Sequence, residues 1–117
     1  MTSANPLLRS AVVLLERAGK SEDAAIWTNA SKMLSRPGGT SVEVNVARLS
    51  RVAGKGGALF VPGKVLGTGA IDKKLVVGAF SFSEAARKKI GDAGGTALSV
   101  EQFVKKHPKG SGVKIVG

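Results

Sequence analysis

Four stretches of this chain set lysine against glycine, and these residues are the best placed to do chemistry. They are Gly54–Gly57 around Lys55, Gly63 before Lys64, Gly67–Gly69 ahead of Lys73-Lys74, and Lys109-Gly110-Ser111-Gly112-Val113-Lys114. Glycine lets backbone N–H groups approach phosphate oxygens with no side chain between, and a neighbouring lysine supplies the opposite charge. Any one of these glycines could equally serve a tight turn. Their conjunction on a basic chain is what points to a polyanion. Eighteen Lys and Arg stand against eight Asp and Glu, a net charge of +10 over 117 residues. Residues 1–60 hold 8 cations and 4 acids, and residues 61–117 hold 10 and 4. The charge therefore belongs to the whole surface and not to a tail.

Catalysis has little to work with. His107 is the single imidazole and lies between Lys106 and Pro108, which reads as a helix terminator or an RNA-facing donor rather than a general base. Cysteine and tyrosine are absent, which removes disulfides, thiolate zinc ligands and thiol nucleophiles. Neither a histidine pair nor a close acidic cluster offers a metal site, and no cofactor or small-molecule substrate is expected. The segment Gly57 to Val65 brushes against the phosphate-loop pattern and fails it. Its spacing is one residue too long, and Val65 has no hydroxyl for magnesium.

A membrane partner is not expected either. The apolar run Ala11–Leu15 is far below the roughly 18 residues that span a bilayer, and the cations are not gathered on one amphipathic helix. Trp27, Phe60, Phe80, Phe82 and Phe103 all occupy apolar positions of helices or strands and are expected in the core. That leaves no exposed ring for stacking unpaired bases. Recognition should be of folded RNA, through phosphates, 2′-hydroxyls and shape.

Short elements must position these residues. Asn5 caps a first helix, Pro6 opens it and Gly19 closes it, with Leu7, Leu8, Ala11, Val12, Leu15 and Ala18 on one stripe. Ser21 caps a second helix with Glu22 and Asp23 in its first turn and Ile26, Trp27, Ala30, Met33 and Leu34 inward. The two should pack as an antiparallel hairpin. Arg36-Pro37-Gly38-Gly39 stops it. Val42-Glu43-Val44 is extended, and Asn45 caps a helix near 46–52. The competing parse starts one longer helix at Thr40, with Glu43 completing a capping box.

Beyond Gly54 the texture changes. Ala58–Val61 reads as a strand, Pro62-Gly63 as a turn, and Lys64-Val65-Leu66 as resumed extended chain that Gly67-Thr68-Gly69 interrupts. Leu75–Phe80 is a buried strand. Ser81-Phe82-Ser83-Glu84 is a capping box that opens a helix, which Ala93-Gly94-Gly95 ends. Thr96–Leu98 is a strand, Ser99 with Gln102 a second capping box, and Val113–Val116 a last strand. The fold expected is α/β: a compact irregular mixed domain of short strands and helices with a helical N-terminal lobe. One domain fills 1–117, with a helical hairpin over 1–36 and a mixed core over 40–117.

Several of these segments together resemble a known family. Lys64-Val65-Leu66-Gly67-Thr68-Gly69, Lys73-Lys74-Leu75-Val76-Val77 and Phe82-Ser83-Glu84-Ala85-Ala86 through Ala93-Gly94-Gly95 look like the signature of bacterial large-subunit ribosomal protein fifteen and its archaeal–eukaryotic relative eighteen-e. Asn5-Pro6-Leu7, Val44-Asn45, Val61-Pro62-Gly63-Lys64 and Pro108-Lys109-Gly110-Ser111 resemble the archaeal–eukaryotic branch. The resemblance implies a structural constituent of the large ribosomal subunit that binds large-subunit rRNA and has no catalytic role. Its partners would be that RNA and neighbouring ribosomal proteins, in the cytoplasm and not as a homo-oligomer. Carried over by position, it implies RNA contacts at Asn5, Arg9, Arg36, Arg48, Gly63, Lys64, Gly67, Gly69, Lys109 and Ser111. Arg51, Lys55, Lys73 and Lys74 join them on charge. Family members often carry arginines after the proline that follows the second helix, where this chain has Gly38-Gly39. A free-standing RNA-binding or RNA-chaperone module is the alternative, and an enzyme acting on RNA is a third.

Overall fold

Alternation along two central strands decides the architecture. The computed structural model describes residues 6–36, 42–53, 57–110 and 112–116. Its elements are α1 (Pro6–Ser21), α2 (Ala25–Ser35), β1 (Glu43–Asn45), α3 (Val46–Ala53), β2 (Gly57–Leu66), β3 (Leu75–Phe82), α4 (Glu84–Asp92), β4 (Thr96–Leu98), α5 (Val100–Lys106) and β5 (Val113–Ile115). In β2 and β3, Leu59, Val61, Leu75, Val77 and Ala79 face one way and pack with α3 and α4. Ala58, Phe60, Val76 and Phe80 face the other way and pack with α1, α2 and α5. Side chains of a strand alternate between faces, so a sheet apolar on both sides must be covered on both. The result is three layers, helices over a sheet over helices.

All five of these strands run parallel. β3 lies between β2 and β4, while the far edge of β2 is shared by β5, at residues 58–60, and β1, at residues 64–66. Parallel neighbours ordinarily need a crossover of a dozen residues or more. Here α3 makes the crossover from β1 to β2, and α4 that from β3 to β4. Residues 67–74 alone connect β2 to β3. They must travel back along roughly 25 Å of strand at about 3.3 Å per residue, close to the reach of a straight chain of that length. The connection is therefore a taut strap, and Ile71 within it packs against the α3–α4 side of the core.

The opposite core is built around three rings. Trp27 meets Phe60 and Phe103 edge-on, with centroids 5.5 and 5.9 Å apart, and its indole Nε1 donates to the Pro108 carbonyl at 2.8 Å. Each ring is fully buried. Phe80 and Phe82 are half-buried at the rims. Gly78 of β3 makes room for α5, because a Cβ there would collide with the Phe103 ring.

Four local expectations need correction. α1 does not close at Gly19 but runs on to Ser21. Gly19 is buried, and a Cβ on it would strike Thr28, so the glycine lets α1 and α2 approach. Ser21 therefore does not cap α2. The Ala24 N–H reaches the Gly19 carbonyl at 2.9 Å and the Asp23 N–H the Lys20 carbonyl at 3.4 Å, with Asp23 left-handed at φ 52°. This is a Schellman turn with aspartate where glycine is usual, and the N-cap is Ala24. Pro62-Gly63 is no turn: β2 passes straight through it, and the register with β3 shifts between Val61 and Lys64. The bulge falls at Pro62, which has no N–H to give the ladder. The cap of α4 is Ser83, whose hydroxyl accepts from the Ala86 N–H at 3.1 Å, and Ser81-Phe82 finish β3.

Other signals hold. α3 begins at Val46, as the shorter parse requires. The Ser99–Gln102 capping box is complete at the start of α5. Gly94, at φ 84°, ends α4, with the Gly95 N–H on the Ile90 carbonyl at 2.9 Å. Asn5, Thr40 and the segment Pro37-Gly38-Gly39 lie outside the described residues. Replacing Gly78 by Ala should lower stability by about 1–3 kcal/mol through overpacking, read as a lower urea midpoint at unchanged slope. An unshifted midpoint would contradict the close approach of β3 and α5.

Candidate nucleic-acid interface

The strap begins where the first turns of two helices converge. A Cβ on Gly67 would collide with Ala85 and lie 2.9 Å from the Ala86 nitrogen, in the first turn of α4. One on Gly69, which is left-handed at φ +94°, would collide with Ala47 in the first turn of α3. The Ala47 N–H also points to the Thr68 carbonyl at 3.4 Å. Lys89 completes the arrangement from the far end of α4. Its ammonium donates to the Gly67 carbonyl at 2.5 Å and to the Gly69 carbonyl at 2.6 Å.

This clamp has a consequence for the N–H groups. A trans peptide points its C=O and the following N–H to opposite sides, and no cis bond occurs among the described residues. Drawing the Gly67 and Gly69 carbonyls toward Lys89 turns the N–H groups of Thr68 and Ala70 away from it. Thr68, Gly69 and Ala70 are exposed. Two helix N-termini, each with its partial positive charge, flank these donors. Glu84 in the first turn of α4 offsets part of that field.

Cations surround the strap. Arg48 and Arg51 on α3 and Arg87, Lys88 and Lys89 on α4 are exposed. The Arg87 guanidinium lies 5.2 Å from the centroid of the Phe82 ring, which orients its plane. Lys88 pairs with Asp92 at 2.9 Å on the open surface, an interaction worth little in water. Below, at the C-terminal end of α3, Lys73 donates to the Ser50 carbonyl at 3.0 Å and Lys114 to the Val52 carbonyl at 3.3 Å. The Ser50 hydroxyl donates to Asp72 at 3.0 Å. Ammonium groups suit a helix C-terminus, where carbonyls lack partners.

The expected site residues thus fall into separate places. Gly67, Gly69 and Arg48 gather at the upper edge of the sheet, beside the C-terminal ends of β1, β2 and β3. Arg51, Lys73 and Lys74 lie at the lower edge, with Lys74 Cε 3.6 Å from where a Gly94 Cβ would be. Lys64 is half-buried in β2 opposite Glu43 of β1, on the face away from α3 and α4. Gly63 is buried, and a Cβ there would collide with Val42. It serves the approach of β1 to β2 and presents no surface. Arg9, on α1, and Arg36, at the end of α2, belong to the opposite helical layer, and Lys109 follows α5. Asn5, Lys55 and Ser111 lie outside the described residues.

His107 is half-buried at the C-cap of α5, with its ring 4.9 Å from that of Phe103, which fits the helix-terminator reading. Among the described residues no three His, Asp or Glu side chains gather to hold a metal, and no helix is long and apolar enough to cross a membrane. Sequence reasoning passed over Arg87-Lys88-Lys89. The signal was there, since three consecutive cations in one helical turn cannot all face a core.

Comparison with known proteins agrees with the sequence signature. A family model covering the ribosomal proteins L15 and L18e of the 50S subunit and protein twenty-seven-A of the 60S subunit matches residues 25–98. The large ribosomal subunit protein eL18 of Methanoregula boonei is 41% identical over 96% of this chain and 93% of its own. That of Methanococcus maripaludis is 40% identical over 97% and 95%. That of Archaeoglobus fulgidus is 41% identical over 99% of both chains. With strap, capping motifs and parallel sheet in place, the chain belongs to this L15/L18e family of large-subunit ribosomal proteins.

Proposed function

We propose that this chain is a structural constituent of the large ribosomal subunit, in the cytoplasm, and that it holds large-subunit rRNA by phosphates and shape rather than by base edges. The observation that carries the reading is the strap at Gly67-Thr68-Gly69. The Gly67 and Gly69 carbonyls are drawn to Lys89, which turns the Thr68 and Ala70 N–H groups away from that lysine on an exposed stretch of chain, and two helix N-termini flank the strap. Backbone donors fixed before binding lose no conformational entropy when a phosphate arrives. Arg48 and Arg87 stand on either side, on α3 and α4, and Arg51 with Lys73 and Lys74 extends the positive edge downward. A folded RNA presents a ridge of phosphates to such an edge. The buried rings Trp27, Phe60 and Phe103 offer nothing to unpaired bases. The names of the eL18 relatives support membership of a particle over a free-standing module.

Binding should therefore be steeply salt-dependent. If about 6–8 phosphates are neutralised, log affinity for a large-subunit rRNA fragment should fall with log salt at a slope of roughly −5 to −7. Arg48→Ala and Arg87→Ala should each flatten that slope by about one unit in filter-binding titrations. A slope near zero would overturn the electrostatic reading. Failure of the tagged chain to sediment with large subunits at moderate salt would favour the free-standing module.

Lys89 has a separate signature. Lys89→Met keeps the aliphatic stem and removes the clamp, at a stability cost of about 1 kcal/mol because the site is open to water. It should weaken RNA binding beyond the loss of one charge, with Lys89→Arg retaining part of it. Equal binding by Lys89→Met and by a distant single-charge variant such as Lys32→Met would remove the strap from the interface.

A further inference from the structure

The RNA reading centred on the strap leaves the outer surface of α1 unused, Arg9 included. Leu7 and Val13, on this helix, are the exposed large apolar side chains among the described residues, at 75% and 36% exposure. Half-buried Leu14 lies beside them. Leu14 lines three adjoining concavities, one on the outer face of α1, one toward Phe80 and Val100, and one toward Val104. Together they form a groove along α1 and α5. The 16-residue α1 is about 24 Å long at 1.5 Å per residue, so it offers a docked helix about four turns to lie along. Arg9 and Arg17, both exposed, stand at its rim on the face of Val13. On the α5 side Glu101 pairs with Lys105 at 3.4 Å.

We infer that this groove docks an amphipathic helix of another polypeptide, one that carries carboxylates on the edge facing Arg9 and Arg17. Charge decides the occupant. A second copy packing α1 against α1 antiparallel about Val13 would set Arg9 of each chain opposite Arg17 of the other. Parallel packing would set each arginine against its own counterpart. Like charges held face to face across an interface oppose association. RNA brings no apolar surface to cover Leu7, Val13 and Leu14. A helix with apolar residues at i, i+3 or i+4 and i+7 covers them, and two acids about 12 Å apart along it answer the two arginines. The inference stands apart from the strap reading, since it uses the opposite helical layer, and it assigns Arg9 to a protein partner instead of RNA.

The test uses two synthetic helical peptides as long as α1. Both carry leucines at that spacing, and they differ only in having glutamates or lysines on the flank. Fluorescence anisotropy against the purified chain should show the glutamate peptide binding at least about tenfold more tightly than the lysine peptide. Val13→Asp should abolish binding, and Arg17→Glu, which leaves Arg9 opposed by one acid, should erase the preference, while both variants keep their circular dichroism and their affinity for the rRNA fragment. Three results would each overturn the inference. They are equal affinity for the two peptides, no binding of either, or a concentration-dependent dimer of the chain in analytical ultracentrifugation that Val13→Asp dissolves.

Discussion

The strap between β2 and β3 is the constraint on which the rest depends. Two parallel strands as neighbours in a sheet demand that the chain return the length of the strand before pairing again. A helix normally makes that return, because a rigid rod brings its own hydrogen bonds and its own apolar face. Eight residues stretched nearly straight can make neither. Their backbone groups must find partners elsewhere, and they must lie flat where two helices already cover the sheet. Small residues follow from that. Gly67 passes against α4, Gly69 against α3, and Ala70 stays narrow. The carbonyl partner is Lys89, and lower down Asp72 and Lys73 tie the strap to the end of α3.

The glycines of the signature thus have a structural reason before they have a functional one. They are required where the strap is squeezed between helices. The donors are the reverse side of the same requirement: once the Gly67 and Gly69 carbonyls are held to Lys89, the N–H groups of Thr68 and Ala70 point away from that lysine. An RNA-binding edge can then arise with no added machinery, because a peptide plane fixed on one side is fixed on the other. Gly63 and Gly78 make the contrast. Their space is filled by Val42 and by Phe103, and they are glycines of the interior, though Gly63 sits in the same signature.

Legibility in the sequence tracks how local each cause is. The Ser99–Gln102 box, the Gly94-Gly95 stop, the start of α3 at Val46 and the inward rings all depend on residues within one turn or one alternation, and all are readable. The turn at Asp23 misleads because a left-handed aspartate does there what glycine usually does, and Ser21 beside it looks like a cap. Pro62-Gly63 misleads because a bulge in a central strand looks, by composition, like a turn. The parallel pairing of β2 with β3 could not be read at all. The length of a connection does not say which way two strands run, and only the register of residues 57–65 against 75–82 shows it. The site scatters for the same reason. Arg9, Arg36 and Arg48 are near in charge and function on paper, yet the sheet separates the first two from the third.

Lysine then occupies an unusual position in this fold. Lys73, Lys89 and Lys114 each donate to a main-chain carbonyl, which would count them as structural and remove them from any binding surface. A carbonyl, however, is a dipole and not an anion. Donating to it orients the ammonium without neutralising it, and an exposed ammonium has further protons to offer. A lysine held in this way has already lost much of the side-chain freedom that a loose surface lysine must surrender on binding. Structural use therefore improves the same cation as a phosphate partner. On the proposed reading, the long-range field of a +10 chain would draw RNA in, while the cations tied to carbonyls would fix where its phosphates come to rest. A helical layer with arginines standing on an open surface, such as α1, has the field without the fixed positions, and that difference is the physical ground for proposing different partners on the two faces.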